Sequence, residues 1–76
     1  MRLYLKGFLS FYSPSRQENI EIPLLENIQL STLLRSLGIP VSDVYLSVVN
    51  GEQVAVEEAV VTETDEVHLY PPIDGG

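Results

Sequence analysis

The stretch LSTLLRSLGIP, residues 30–40, decides the fold because it contains a complete helix with a defined end. Its leucines recur at the i, i+3, i+4, i+7 spacing of one apolar helix face. Gly38 suits the left-handed position after the last turn, and Pro40 prevents continuation. The N-cap of the helix has two candidates. Asn27 is a favourable capping residue but lies early in the sequence, and Gln29 is an unfavourable one. A helix this short is marginal alone, so it is predicted to pack on a sheet.

The residues before this helix alternate between apolar and polar side chains, as strands with one buried face do. Residues 2–12 predict a first strand, with Leu3, Leu5, Leu9 and Phe11 on one side. The sequence Ser13-Pro14-Ser15 signals a turn. A second strand is predicted around Ile20, Ile22 and Leu24. Pro23 has no N–H to donate, so this second strand is expected at an edge of the sheet.

Three further strands are predicted after the helix. Val44–Val49 is an apolar run rich in β-branched residues, and Asn50-Gly51 follows it. Asn-Gly is a strong hairpin signal, because both residues tolerate positive φ. Residues 53–56 predict a short return strand, and the faces of both hairpin strands stay unassigned because their parity is ambiguous. Glu66–Tyr70 alternates again, with its second and fourth residues apolar.

The element order is therefore β-β-α-β-(β)-β, with one helix available to cover one face of one sheet. The edge position of the second strand places the first and last strands at the centre. This arrangement predicts an α+β fold, the β-grasp, in which residues 1–70 form the domain and residues 71–76 a flexible tail. The predicted core is Leu3, Leu5, Ile20, Ile22, Leu33, Leu34, Leu37, Val67 and Leu69.

Composition and charge restrict the classes of function. The 76 residues carry a net charge of −7, which argues against nucleic acid as a partner. The charge suits a protein with a basic groove, although solubility alone would also explain it. The chain has no cysteine and one histidine, so no disulfide, thiolate or histidine-cluster metal site is expected. No apolar run approaches a membrane helix, and the expected location is cytoplasmic without membrane contact.

The sequence closes on Tyr70-Pro71-Pro72-Ile73-Asp74-Gly75-Gly76. Prolines favour an extended path, and glycine has no Cβ to obstruct a narrow channel. Residues 71–76 span roughly 20 Å when extended. The ordinary alternative is a frayed chain end. The pattern predicts instead that Pro72, Ile73, Asp74 and Gly75 thread the active site of another protein and present Gly76 there.

Several of these segments also resemble a known family. Residues 49–52 (VNGE), 65–67 (DEV) and 71–76 (PPIDGG) resemble the small sulfur carriers of the MoaD/ThiS type, and the terminal motif looks most like MoaD. The likeness covers nearly the whole chain. One departure is Glu63-Thr64-Asp65, where the family commonly has Asp-Gly-Asp before the last strand.

The resemblance implies a specific chemistry. A MoeB/ThiF-like enzyme of the ubiquitin-activating type would use ATP and magnesium to adenylate Gly76. A sulfide or persulfide would then leave a thiocarboxylate, which donates sulfur on a MoaE-like large subunit during molybdopterin synthesis. The chain would be a co-substrate, not an enzyme, and would bind no cofactor. Alternatives are a ThiS-like carrier for thiazole synthesis, a ubiquitin-like modifier conjugated through Gly76, or a plain interaction module.

Four side chains opposite the predicted core suggest a surface for docking. Tyr4, Phe8, His68 and Tyr70 share the outward parity of the first and last strands. Tyrosine and phenylalanine are enriched at interfaces. The alternative is that these residues are scattered and exposed without a common role. A lone histidine such as His68 is not favoured as a base or a metal ligand.

Overall fold

The computed structural model describes residues 1–72. In chain order the elements are β1 (Arg2–Leu5), a first 3₁₀ helix (Gly7–Tyr12), β2 (Asn19–Glu21), β3 (Ile28–Gln29), α1 (Leu30–Ser36), a second 3₁₀ helix (Val41–Asp43), β4 (Leu46–Val49), β5 (Glu52–Val54), β6 (Val60–Val61) and β7 (Glu66–Tyr70). Five strands form one sheet in the order β2-β1-β7-β4-β5, and β3 pairs with β6 separately. The predicted α+β β-grasp fold is confirmed.

The centre of the sheet is the parallel pair β1 and β7. Leu3 lies opposite Val67, and Leu5 lies opposite Leu69. β4 runs antiparallel on the other side of β7. Because β1 and β7 are parallel, their carboxyl ends lie at the same end of the sheet, which is where the chain continues into Pro71.

The carboxyl end of α1 follows the sequence prediction. The N–H of Ile39 donates to the carbonyl of Leu34 at 2.9 Å, and the N–H of Gly38 donates to the carbonyl of Arg35 at 3.1 Å. These two bonds form a Schellman motif, and Gly38 has the required positive φ of 78°. Ile39 is buried beside the helix it terminates.

The amino end of α1 is satisfied by the neighbouring backbone. Gln29 is the N-cap residue, but its side chain makes no capping hydrogen bond. The N–H groups of Leu30 and Ser31 donate instead to the carbonyls of Ala59 and Val56, at 2.8 and 3.1 Å. The pairing of β3 with β6 brings these carbonyls to the helix, so tertiary contacts replace a side-chain cap.

The core joins one face of the sheet to α1. Its buried side chains are Met1, Leu3, Leu5, Leu9, Leu30, Leu33, Leu34, Ile39, Val61, Val67 and Leu69. Six of the nine predicted core residues are in this set, and the other three, Ile20, Ile22 and Leu37, pack against it half-buried. Met1 is buried as well, and its amine donates to the carbonyl of Ile22 beside β2.

The first predicted strand is too long. β1 ends at Leu5, and residues 7–12 form a 3₁₀ helix instead. Gly7 has a φ of 56°, so the backbone turns out of the sheet at a position that only glycine adopts easily. Leu9 remains buried, whereas Phe11, predicted on the buried side, is 66% exposed. Phe8 lies on this helix and not on a central strand, which corrects the predicted geometry of the docking patch.

The other strand predictions hold with small shifts. β2 is at the edge of the sheet, as Pro23 predicted, although the strand ends at Glu21, three residues before the predicted end at Leu24. Asn50 and Gly51 have φ values of 52° and 86°, which identifies a type I′ hairpin turn. The return strand β5 begins at Glu52, one residue before the predicted start. Sequence periodicity did not detect β3 and β6, which have two residues each.

The described residues end before most of the predicted tail. Pro71 is half-buried and Pro72 is exposed. Ile73, Asp74, Gly75 and Gly76 lie outside the described residues, so their predicted flexibility and threading role stay predictions. Within residues 1–72, no helix is long and apolar enough to cross a lipid bilayer.

Candidate functional site

The chain leaves the sheet at a fixed point at the end of β7. The carbonyl of Leu69 accepts from the N–H of Lys6 at 3.0 Å, and the carbonyl of Tyr70 accepts from the N–H of Tyr45 at 2.8 Å. Leu69 is fully buried and Tyr70 is half-buried. The strand is therefore held from both sides up to Tyr70, and the prolines follow immediately.

The first proline of the tail packs against a glycine. A Cβ atom built on Gly7 would lie 2.9 Å from Cγ of Pro71, closer than real Cβ atoms approach other atoms. The positive φ of Gly7 disfavours any other residue a second time. Gly7 thus turns the chain after β1 and leaves the space that Pro71 occupies. It is a positioning residue for the base of the tail.

Gly7→Ala is expected to displace Pro71 as well as lower stability. The left-handed backbone alone costs an L-residue about 1–2 kcal/mol. The matched control is Gly38→Ala, because Gly38 also has positive φ but a Cβ there meets nothing within 4 Å. NMR shifts of Tyr70, Pro71 and Pro72 should move in Gly7→Ala and stay in place in Gly38→Ala. Equal shifts in both variants would contradict the contact.

Two of the predicted patch residues stack on each other. The rings of Tyr4 and His68 lie 4.2 Å apart at an interplanar angle of 5°. Lys6 Nζ lies 5.5 Å from the centre of the Tyr4 ring, and His68 Nε2 lies 3.0 Å from a carboxylate oxygen of Glu66. Tyr70 shares this open face of β7, since it lies two residues after His68. The structure thus brings together Tyr4, His68 and Tyr70, with Phe8 on the adjoining 3₁₀ helix.

Two apolar residues of the open face were missed by sequence reasoning. Leu46 lies opposite Tyr70 and Val48 lies opposite His68 in the β4–β7 pairing. Both side chains are half-buried and extend the aromatic surface across a third strand. The inward residue between them is Ser47, whose hydroxyl donates to the carbonyl of Val54 at 2.7 Å. Because the polar residue faces inward, the alternation of β4 gave no signal for these faces.

The hairpin turn is tied to the start of β7. The side-chain amide of Asn50 donates to Asp65 at 2.9 Å, and its oxygen accepts from the N–H of Glu66 at 2.9 Å. The other oxygen of Asp65 accepts from the N–H of Thr62 at 2.8 Å. Two of the segments that carry the sulfur-carrier resemblance, residues 49–52 and 65–67, therefore bond to each other. Their role here is to hold the amino end of β7.

Because of this network, the stability of the protein is expected to change with pH in the acidic range. The pKa of Asp65 lies below its ordinary value, mainly because the Asn50 amide bonds the carboxylate, with a further contribution from Thr62. A carboxyl group whose pKa is lowered by folding stabilises the folded protein at pH values above its unfolded pKa. That contribution is lost as the pH falls from about 4 through the folded pKa. We expect Asn50→Gly, which keeps the positive φ, to flatten urea midpoints across this range. Glu58→Gln is the control. If the urea midpoint of Asn50→Gly falls with pH as steeply as that of Glu58→Gln, the Asn50–Asp65 bond is not the cause of the pH dependence.

A groove along the outer edge of β2 lies away from the tail. Ile20, Ile22 and Leu37 contribute its apolar lining, and Glu21 its carboxylate. Glu21 already pairs with Arg2 at 2.6 Å. Within residues 1–72, no group of three or more His, Cys, Asp or Glu side chains is placed to hold a metal ion. The carboxyl end of β7, where the open face meets the segment that begins at Pro71, is the candidate functional site.

Comparison with known proteins identifies a family. A family model described as Mut7-C ubiquitin matches residues 2–74, nearly the full chain. No curated protein matches the sequence. The predicted resemblance to ubiquitin-like, sulfur-carrier-type proteins is confirmed, whereas the specific assignment to MoaD is not supported by this match. With its β-grasp sheet and a match from the first strand into the tail, the chain belongs to the Mut7-C ubiquitin family.

Proposed function

We propose that this protein is a sulfur carrier whose Gly76 carboxylate is adenylated and then converted to a thiocarboxylate. The observation that carries the proposal is the course of β7. This central strand is held on both sides up to Tyr70 and runs directly into the sequence Pro71–Gly76. Because the base of this segment is held by the sheet, a reactive group at its end is easier to orient in the active site of a second protein.

The chemistry needs little from the chain itself. A carboxylate is a poor electrophile, so an activating enzyme couples the Gly76 carboxylate to AMP from ATP, with Mg²⁺, and releases pyrophosphate. Sulfide then attacks the carbonyl carbon, and AMP leaves with one of the former carboxylate oxygens. The chain contains no cysteine, so no internal thiol competes for the adenylate. The protein acts as a co-substrate rather than an enzyme and binds no cofactor of its own.

The finer assignment is to molybdopterin biosynthesis in the cytoplasm. A MoeB/ThiF-like enzyme would activate Gly76, and a MoaE-like large subunit would receive the sulfur. The support is the pair of prolines before the Gly-Gly end, which favours MoaD over ThiS. The open face formed by Tyr4, His68 and Tyr70 would contact these partners.

A second candidate is a protein modifier joined to lysine side chains through Gly76. The ubiquitin-like family membership favours it, and it would require the same adenylated carboxylate. The two functions diverge only after activation, when the nucleophile is either sulfide or an amine. The products therefore distinguish them.

Intact mass spectrometry tests the proposal on a protein that ends at Gly76. The sample is incubated with MoeB/ThiF-like enzymes from the same genome, ATP, Mg²⁺ and sulfide. Replacement of oxygen by sulfur adds about 16 Da, and iodoacetamide should then alkylate a protein without cysteine. Sulfur transfer to a cyclic pyranopterin precursor on a MoaE-like subunit would support the pathway. Formation of isopeptide-linked products instead of a thiocarboxylate would favour the modifier, and no adenylation by any such enzyme would exclude both.

A further inference from the structure

The exposed aromatic residues of this protein are concentrated on two segments. Phe8, Phe11 and Tyr12, on the first 3₁₀ helix, are 46%, 66% and 36% exposed, and Tyr45 before β4 is 72% exposed. In residues 1–72 the other large apolar side chains with comparable exposure are Leu25 and Val60. Large exposed aromatic side chains at one location often mark an interaction surface. We call these four residues the aromatic collar.

Both segments of the aromatic collar adjoin the base of the tail. The 3₁₀ helix begins at Gly7, which packs against Pro71. Tyr45 donates its N–H to the carbonyl of Tyr70, the residue before Pro71. The two segments are also joined to each other, because the Tyr12 hydroxyl donates to Asp43 at 2.6 Å. One residue of each segment therefore adjoins the point where the chain passes from β7 into Pro71.

The length of the remaining chain limits where a partner can stand. In a protein that ends at Gly76, four residues follow Pro72, and they add at most about 14 Å when fully extended. An enzyme that reacts with Gly76 must therefore bring its reactive atoms within this distance of Pro72. A protein surface that surrounds such a site has to approach Pro71, and the two segments that carry the collar adjoin it.

The segment that carries three of the four collar residues has basic but no acidic side chains, and the Arg16 guanidinium lies 5.1 Å from the centre of the Phe11 ring. Residues 1–17 include Arg2, Lys6 and Arg16 but no acidic residue, although the whole chain carries −7. Asp43 is the carboxylate nearest to this surface in sequence, and Tyr12 already bonds it. Covering the collar would bury aromatic surface without removing a cluster of carboxylates from water.

We propose that Phe8, Phe11, Tyr12 and Tyr45 form a docking surface for the apolar rim of the channel in the enzyme that adenylates Gly76. The inference rests on the proposed function. It places the main contact at the end of the sheet, around the tail, and it adds to the open face three aromatic residues that the sequence did not predict as a patch. Aromatic anchors of this kind dominate the binding energy of many interfaces.

Steady-state adenylation, followed by pyrophosphate release, tests the collar. Phe11→Ala and Tyr45→Ala should each raise KM for the carrier about tenfold or more, with kcat nearly unchanged, because they remove docking and not chemistry. The matched control is Leu25→Ala. Leu25 is fully exposed and lies in the loop after Ile22, which pairs with Met1 at the opposite end of β1. Urea midpoints of all three variants should equal that of the unmodified protein, since each side chain is exposed.

The result separates the collar from the function. Normal adenylation of both collar variants, with the unmodified protein also active, would overturn the docking surface and leave the carrier intact. An equal rise of KM in Leu25→Ala would overturn it as well, because the effect would not be local. If the unmodified protein is not adenylated, the proposed function fails, and the collar fails with it.

Discussion

Leu34→Ala is expected to lower the free energy of unfolding by about 2–5 kcal/mol. Leu34 is fully buried in the cluster that joins α1 to the sheet. The substitution removes apolar contacts and leaves a cavity that the neighbouring side chains cannot fill without moving. Domains of this kind have total stabilities of about 5–15 kcal/mol, so a loss of this size unfolds a large fraction of the protein on warming. Equilibrium urea denaturation measures it.

A graded pair of controls makes this result specific. Leu37 belongs to the same apolar stripe but is half-buried, and Leu25 is fully exposed. The expected order of destabilisation is Leu34→Ala, then Leu37→Ala, then Leu25→Ala with almost no change. If Leu37→Ala lowers the free energy of unfolding as much as Leu34→Ala does, then α1 does not bury Leu34 more deeply than Leu37.

The elements that the sequence predicted well are those defined by local chemistry. The end of α1 needs a left-handed residue and a stop, and Gly38 and Pro40 supply both within three positions. The hairpin at Asn50-Gly51 needs two positive φ values, which these residues accept easily. β7 alternates strictly over its five residues. In each case the residues that determine the structure are adjacent in the chain.

The first strand shows why a periodic pattern can mislead. Alternation continues through Gly7, so period two alone predicts a strand to residue 12. β1 ends at Leu5, and at Gly7 the backbone has positive φ and lies against Pro71, which is 64 positions later in the chain. No pattern within residues 2–12 contains that information.

The candidate site was predicted in part for the same reason. The motif at residues 71–76 is local, and the proposal that Gly76 is the reactive group rests on it. Its surroundings come from segments distant in sequence, since Tyr45 reaches Tyr70 through strand pairing and Phe8 lies on an element that was not predicted. Leu46 and Val48 acquire their open-face positions only through the register of β4 with β7. The proposed docking surfaces thus depend on the topology, whereas the proposed reactive group depends on a local motif.

Deleting Gly76 is expected to abolish adenylation in a protein that otherwise ends at Gly76. The shortened chain still has a carboxylate, on Gly75, but its reactive carbon is set back by roughly 3.5 Å along an extended chain. A misplacement of about 1 Å can already cost a factor of a hundred in rate. Because the other end of the tail is fixed by the bonds at Leu69 and Tyr70 and by the Gly7–Pro71 contact, the domain cannot shift forward without losing its docked position.

Gly76→Ala provides the matched comparison, because it keeps the length and adds one methyl group. It should slow adenylation by steric conflict in the channel without abolishing it. The two variants therefore distinguish the effect of tail length from the effect of side-chain size. Urea midpoints should stay at the value of the unmodified protein in both, since the described core lies between Met1 and Leu69. Normal sulfur loading of the shortened protein, read as the mass gain of about 16 Da, would mean that Gly76 is not the activated residue. The carrier mechanism would then be wrong even though the β-grasp fold and the family assignment remain.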